Sequence, residues 1–266
     1  MLIIKIGGGK DINWDYVCAD AAILAKKEEI ILVHGASARR DEIAEGLVAP
    51  TRYILSPSGH RGVYTDKKAL EILTMVYAGL ANKEIVARLR KFGVNAVGLA
   101  GVDAGLWQGS RKKILYGVEN GKTKIIKDTF TGKVEKINVD FIRLLTRHGY
   151  VPVITQPAIS YEAELINTDN DRNIAVMAKE LAVKRLVVLF AAHGFLRDFH
   201  DENSLIRRIN RDEIDDFINK AEGRIRKKLL GAKEALEGGA RAVYWGDGRI
   251  KNPIRSALSG NGTIIL

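Results

Sequence analysis

The sequence predicts an α/β protein, a three-layer α/β/α sandwich around a mostly parallel central sheet. Three observations predict it. Short apolar, β-rich runs alternate with amphipathic stretches along the whole chain, the pattern of strands joined by crossover helices. No period repeats and no low-complexity linker divides the 266 residues, so one continuous domain over 1–266 is expected. Apolar residues make up 46 % of the chain, enough to bury a sizeable core.

Each element follows from its local pattern. "LIIKI" (2–6) reads as a buried strand, "WDYVCADAAILAKKE" (14–28) as a helix and "EIILVHG" (29–35) as a second strand ending in glycine. "ARRDEIAEGL" (38–47) reads as a short helix. Residues 65–93 form a long helical stretch, with Thr65 or Asp66 as cap, a break near Gly79 and Gly93 as stop. "VNAVGLAG" (94–101) is a strand. Residues 113–136 alternate and carry Gly117, Gly121 and Gly132 as turn glycines, which predicts hairpins. A helix over 139–149, a strand over 150–160, a helix over 169–182 and a strand over 185–192 follow. The chain closes with a helix over 224–240 and strands over 241–246 and 261–266.

Charge narrows the partners. There are 42 Lys and Arg against 32 Asp and Glu, a net +10, which favours an anionic partner: a nucleotide, a nucleic acid or an acidic protein. No basic block is interleaved with aromatics, so nucleic acid is not expected. A solvated basic surface is the plain alternative. The single cysteine, Cys18, excludes a disulfide framework and a cysteine-rich zinc site. The apolar start lasts only to Ile6, so neither a signal peptide nor a membrane span is expected, and the expected location is cytoplasmic.

Four motifs carry chemistry. "KIGGGK" follows a strand, where glycines bring backbone N–H groups close to a ligand and a fixed lysine adds charge that a phosphate can use. The spacing rules out a Walker loop, because Ile4 stands five residues before Gly9 and Asp11 follows Lys10. It rules out a dinucleotide fingerprint, because Ile12 stands where the third glycine belongs. A plain glycine turn stays open. "VHGAS" (33–37) is a second glycine turn between strand and helix, and two such turns can cradle an oxyanion; His34 within it reads as structural. "LINTDNDRN" (165–173) sets Asn167, Asp169, Asn170 and Asp171 before a helix, more polar groups than one cap needs. "GRIRKKLLGA" (223–232) puts Arg224, Arg226, Lys227 and Lys228 at a helix start, where the dipole disfavours cations unless an anion joins them. A solvated basic face is the alternative there.

In this order along the chain, these motifs resemble the amino-acid kinase family and, within it, the acetylglutamate kinase branch. "SPSGHRGVYTD" (56–66) is similar to the kinases that act on an amino acid joined to a small acidic carrier protein of the LysW type. The resemblance implies the carbamate-kinase-like form of the sandwich, with 1–165 mainly a substrate and dimerisation lobe and 166–266 mainly an ATP lobe. It implies ATP with Mg2+, a homodimer paired through the long helix, and phosphorylation of the side-chain carboxylate of 2-aminoadipate or glutamate in lysine, and possibly arginine, biosynthesis. By position, Lys5 and Lys228 match the two phosphate lysines and Asp171 the aspartate that organises them; no protein-bound metal is implied. Gly7, Gly8 and Gly9 match the phosphate loop, Gly35 and Ala36 the substrate loop, and Asn167 the residue holding the substrate's α-substituents.

Three departures stand out. Val63 occupies the usual substrate arginine position, leaving Arg61 or Arg52 to take over. Ala36 replaces the second substrate-loop glycine. Phe190 and Ala191 replace the polar pair that ends the nucleotide strand, with His193 before Gly194. Two other readings stay open: an acetylglutamate kinase acting on the free small molecule, and a degenerate kinase fold that binds and regulates.

Overall fold

The computed structural model describes residues 1–57, 59, 61–119, 122–198 and 201–266, with the main chain alone at Glu119 and Arg224. Gly121, expected in a turn, and Ser58 and His60 of the 56–66 motif lie outside the described residues, as does the Arg224 side chain.

Eight strands make the central sheet: β1 (Leu2–Ile6), β2 (Ile30–His34), β3 (Ala96–Ala100), β4 (Val151–Thr155), β5 (Arg185–Phe190), β6 (Arg208–Ile209), β7 (Ala242–Asp247) and β8 (Thr263–Ile265). Their spatial order is β6-β8-β7-β5-β1-β2-β4-β3. All neighbours run parallel except β7 and β8, so the expected parallel sheet carries a reversed edge. β1 sits near the middle, pairing Lys5 with Val188 on one side and with Val33 on the other.

Strand parity decides what β1 does. Its five residues are all buried, as befits a parallel strand covered on both faces. Leu2, Ile4 and Ile6 enter one core layer, with Val17 and Ala21 of helix α1 (Trp14–Ala25). Ile3 enters the other, with Ile174 and Met177 of one helix (Asn170–Glu180) and Leu229 and Ala232 of another (Gly223–Glu237). Lys5 shares Ile3's face. The strand therefore delivers one lysine, at its carboxyl end, toward those two helices.

Three further helices lie between β2 and β3 in the chain: α2 (Ser37–Gly46), α3 (Lys67–Thr74) and α4 (Asn82–Lys91). Asp66 caps α3, its carboxylate accepting from Ala69 N at 2.8 Å. The break expected near Gly79 is absent: Met75–Ala81 stays helical with wider π-type turns that join α3 to α4. Of the apolar face expected to pair two copies, Leu70, Ile72, Leu73, Val76 and Tyr77 are buried within the chain, while Met75 is exposed.

The 150–160 strand divides in two. A cis peptide joins Gln156 to Pro157, and Ala158–Ser160 leaves the central sheet for a four-stranded one with Leu165–Ile166, Trp107–Arg111 and Gly132–Ile137. Of the hairpins expected over 113–136, one exists among the described residues, Ile114–Glu119 with Lys122–Lys127, while Gly132–Ile137 pairs with Trp107–Arg111 instead; a further hairpin, Tyr53–Leu55 with Arg61–Val63, is not marked by periodicity. The remaining helices are α5 (Val139–Arg147), α6 (Asn170–Glu180), α7 (Ile214–Lys220), α8 (Gly223–Glu237) and α9 (Pro253–Leu258). Helices α7 and α9 are too short to show a period. No helix among the described residues is long and apolar enough to cross a membrane.

Candidate functional site

The site lies at the carboxyl ends of β1, β2 and β5, where open α/β sheets bind ligands. Lys5, Asp171 and Lys228 meet there. The Lys5 ammonium stands 2.7 Å from Asp171 Oδ1, and the Lys228 ammonium 3.2 Å from Oδ2. One carboxylate thus holds two cations on its two oxygens. Asp171 reaches them because Asp169 takes the capping work at the start of α6, its side chain accepting from Asp171 N at 2.9 Å. Helix α8 approaches closely because residue 231 is glycine: a Cβ there would meet the Asp171 carbonyl oxygen at 2.8 Å.

The electrostatics follow from burial. Burial pushes the Asp171 carboxyl up, but Lys228 and Lys5 outweigh it and hold it below the ordinary carboxylate range. Burial pulls Lys5 down, and Asp171 more than restores it, so Lys5 stays charged. Lys228 is lowered to about 8, first by burial and then by the Lys5 charge, against the pull of Asp171. The site holds two cations to one anion and is short of negative charge. If Lys228 must be protonated to meet a phosphate, kcat/KM for the phosphate donor falls as pH rises through about 8. A pH profile of wild type against Lys228→Arg checks this: the limb near 8 disappears in the arginine variant.

The two glycine turns interlock beside these lysines. The Gly8 carbonyl accepts from Ala38 N at 2.8 Å and from Ser37 Oγ at 3.0 Å, tying the first turn to the start of α2. Gly35 N donates to Ile6 O at 3.0 Å, and Gly7 N donates to Leu189 O at 2.8 Å. The Gly7 N–H is thereby occupied; among the described residues the Gly8 and Gly9 N–H groups have no acceptor. Gly8 has no room for a side chain, since a Cβ would meet Ser37 N at 2.4 Å and Ala36 N at 2.6 Å. Gly9 has nothing within 4 Å. Gly8→Ala should therefore separate the two turns and cost about a hundredfold in turnover, while Gly9→Ala should stay within about threefold; steady-state kinetics of the pair decide it. Ala36 fits as the residue before α2, its carbonyl accepting from Arg40 N at 2.8 Å.

Buried amides hold this edge in place. Asn170 Nδ2 and Thr155 Oγ1 both donate to the His34 carbonyl at 2.9 Å, and Asn82 Nδ2 donates to His34 Nε2 at 3.1 Å. Burial lowers His34 to about 4, so it stays neutral and structural. Gln156 Nε2 donates to the Thr168 carbonyl at 2.6 Å, and Asn82, Thr155 and Gln156 had no motif to mark them.

Asn167 Nδ2 donates to Thr65 Oγ1 at 2.8 Å, which joins the two halves of the chain. Arg52 is engaged with Asp66 at 2.5 Å and lies over the Tyr64 ring, and Arg61 stacks 3.9 Å over Tyr53. Val63 lines a cleft of about 200 Å³ with Arg40, Arg52, Tyr64 and Asp66. Arg40, which sequence reasoning missed, is buried and holds Asp41 at 2.7 Å and the Tyr53 hydroxyl at 3.3 Å.

The Phe190 ring lies 5.2 Å from the Lys228 ammonium and edge-on to Trp245 at 5.6 Å. Ala191 follows at the end of β5 without a polar side chain. Polarity is supplied by the neighbouring strand instead. Asp247, at the end of β7, is paired by both ends of Arg249 at 2.8 and 2.7 Å and by His193 Nδ1 at 3.3 Å. His193 Nε2 also meets Glu202 at 3.3 Å. Of these, the sequence singled out only His193, as the residue before Gly194; Asp247, Arg249 and Glu202 were not marked as site residues.

Comparison with known proteins agrees with this architecture. The amino acid kinase family model matches residues 1–244. A LysW-aminoadipate kinase from Thermus thermophilus is 44 % identical over the whole of both chains. One from Deinococcus radiodurans is 45 % identical over all of this chain and 91 % of its own. A LysW-aminoadipate/LysW-glutamate kinase from Saccharolobus islandicus is 33 % identical, covering 100 % of this chain and 99 % of its own. Among solved structures, the carbamate kinase of Giardia superposes with a TM-score of 0.70 at 14 % identity over 100 % of this chain and 98 % of its own, a likeness of fold.

Proposed function

The chain belongs to the amino acid kinase family, and from that premise we propose that it moves the γ-phosphoryl group of ATP onto the side-chain carboxylate of 2-aminoadipate, or of glutamate, borne by a carrier protein of the LysW type. The reaction is a step of lysine biosynthesis. The observation that carries the reading is the pair of lysines on one aspartate at the strand ends, together with full-length likeness to kinases of that name.

The geometry supports a division of labour. A carboxylate oxygen attacks the γ-phosphorus, the bond to the β–γ bridging oxygen breaks, and ADP leaves with that electron pair, yielding an acyl phosphate. A carboxylate is already ionised, so no general base is required. Catalysis then reduces to positioning and charge neutralisation. Lys5 meets the transferring group, Lys228 meets the phosphates on the leaving side, and Asp171 keeps the two ammonium groups in place. The Gly8 and Gly9 N–H groups complete the donor set, with Gly35 and Ala36 behind them. Asn167 and Thr65 border the substrate, and Arg61 or Arg52 meets its α-carboxylate in the role Val63 cannot fill, with Arg40 lining the same cleft as Val63. Phe190 and Ala191 floor the nucleotide side. Mg2+ would arrive on the ATP phosphates, where it keeps most of its ligands from phosphate and water.

The test is ADP release with the carrier bearing aminoadipate, the carrier bearing glutamate, and free N-acetylglutamate. Turnover with a carrier-borne substrate supports the reading. Turnover with N-acetylglutamate alone moves the chain to the small-molecule branch. The apolar Phe190–Ala191 edge motivates the regulatory alternative, which calorimetry separates: no binding at millimolar ATP with magnesium would favour it.

A further inference from the structure

Residues 111–136 contain eight Lys and Arg and three Asp and Glu, a net +5 in about a tenth of the chain and half of its total of +10. The strands Ile114–Glu119 and Lys122–Lys127 within this segment form a two-stranded ribbon that, among the described residues, joins no other sheet. Residues directly opposite in a ladder share a face. Leu115, Ile126 and Gly117 lie on one face, and that face is packed: a side chain at Gly117 would meet Ile54 Cγ2 and Ile126 Cδ1, each at 2.7 Å. Ile114, Tyr116 and Ile125 lie on the other, and they are 50, 56 and 59 % exposed. Exposed Lys112, Lys113 and Lys127 border this apolar face, and none of them has an ion-pair partner among the described residues.

The ribbon is continuous with the candidate site. Ile54, which it packs against, pairs with Gly62 in the 53–63 hairpin. The next residue of that hairpin, Arg61, accepts at its carbonyl from Lys227 Nζ at 2.8 Å, and Lys227 precedes Lys228. A macromolecule seated on the ribbon would sit beside the substrate cleft.

We propose that this ribbon is the docking platform for the carrier protein, which meets it with an acidic surface over Lys112, Lys113 and Lys127 and an apolar contact over Ile114, Tyr116 and Ile125. The proposal rests on the carrier reading above. Charge selects the occupant. A second copy would set +5 against +5, and edge lysines are a device against that kind of pairing. Single-stranded nucleic acid would want aromatic planes for base stacking, and two of the three exposed apolar residues are aliphatic.

The test compares steady-state kinetics of the full chain with two ribbon variants, Lys112→Glu/Lys113→Glu/Lys127→Glu and Tyr116→Ser/Ile125→Ser. The control is an equal charge reversal at the distant exposed residues, Lys26→Glu/Lys27→Glu/Lys91→Glu. Each ribbon variant should raise KM for the carrier-borne substrate about tenfold or more, with KM for ATP unmoved, and the control should change it by less than about threefold. Carrier KM unchanged in both ribbon variants, or raised as much in the control, overturns the docking proposal while the carrier reading stands. No turnover of the carrier by wild type overturns both. A change of oligomeric state in the ribbon variants by light scattering assigns the ribbon to self-association and overturns the proposal.

Discussion

Replacing Lys5 with alanine should lower kcat by at least about a hundredfold, the cost of removing one preorganised charge from a transition state. The expectation rests on placement. Lys5 is 5 % exposed and sits at the end of a strand hydrogen-bonded on both sides, so its ammonium cannot be replaced by a neighbouring side chain or by water of equal charge. Its pairing with Asp171 keeps it protonated across the physiological range. Lys228→Ala should cost a similar factor, with a larger share in KM for ATP, because Lys228 enters from the side of Phe190. Lys5→Arg should not rescue turnover: the guanidinium is planar and wider than the ammonium, and the slot is buried. Single-turnover kinetics separate the two lysines. Near-normal turnover in Lys5→Ala would reject the assigned role.

Removal of the Asp171 charge should damage the fold as well as the rate. Asp171→Asn leaves two buried ammonium groups facing each other with no anion between them. Breaking a buried ion pair on one side costs about 3–5 kcal/mol, read as a lower urea midpoint. The pH dependence should move in a defined direction. Asp171 is the group that raises both lysine pKa values, so in the variant the falling limb in kcat/KM for ATP should shift below its position near 8. A triple variant, Lys5→Met/Asp171→Leu/Lys228→Met, should recover much of the stability, since apolar groups of similar volume replace the whole buried ion cluster at little net cost, and should recover no turnover. Stability and rate move together in the single variant and part in the triple. An Asp171→Asn protein with wild-type stability and an unmoved limb would show that the carboxylate does not organise the lysines.

The legible part of the fold was the part with local periodicity. β1, β2 and β7 were readable because each is a short apolar run closed by glycine or a polar residue, and β5 because its apolar run begins sharply after Lys184 and Arg185. The ladder direction of β8 was not, because three residues carry no sign of whether the chain has turned back. Gly79 suggested a break because glycine weakens an isolated helix, yet packing of Val76 and Tyr77 beneath it holds the helix together as a widened turn. Residues 150–160 read as one strand because periodicity does not register a cis peptide.

In the candidate site, the residues alone marked a glycine turn after β1 and a surplus of Asn and Asp before α6, and the family resemblance singled out Lys5, Asp171 and Lys228 by position. By itself the sequence determined these local facts: which residues a strand points to each side, where a helix is capped, and where glycine lets the main chain approach. Only the tertiary structure decided that Lys5, Asp171 and Lys228 share one carboxylate, that Asn167 reaches Thr65, that Arg40 lines the cleft, and that Asp247 supplies the polarity Phe190 and Ala191 lack. The physical reason is range. Periodicity and capping are set by neighbours within a turn or two of chain, whereas these contacts join elements whose approach depends on the whole sheet order and on how closely helices such as α6 and α8 can pack.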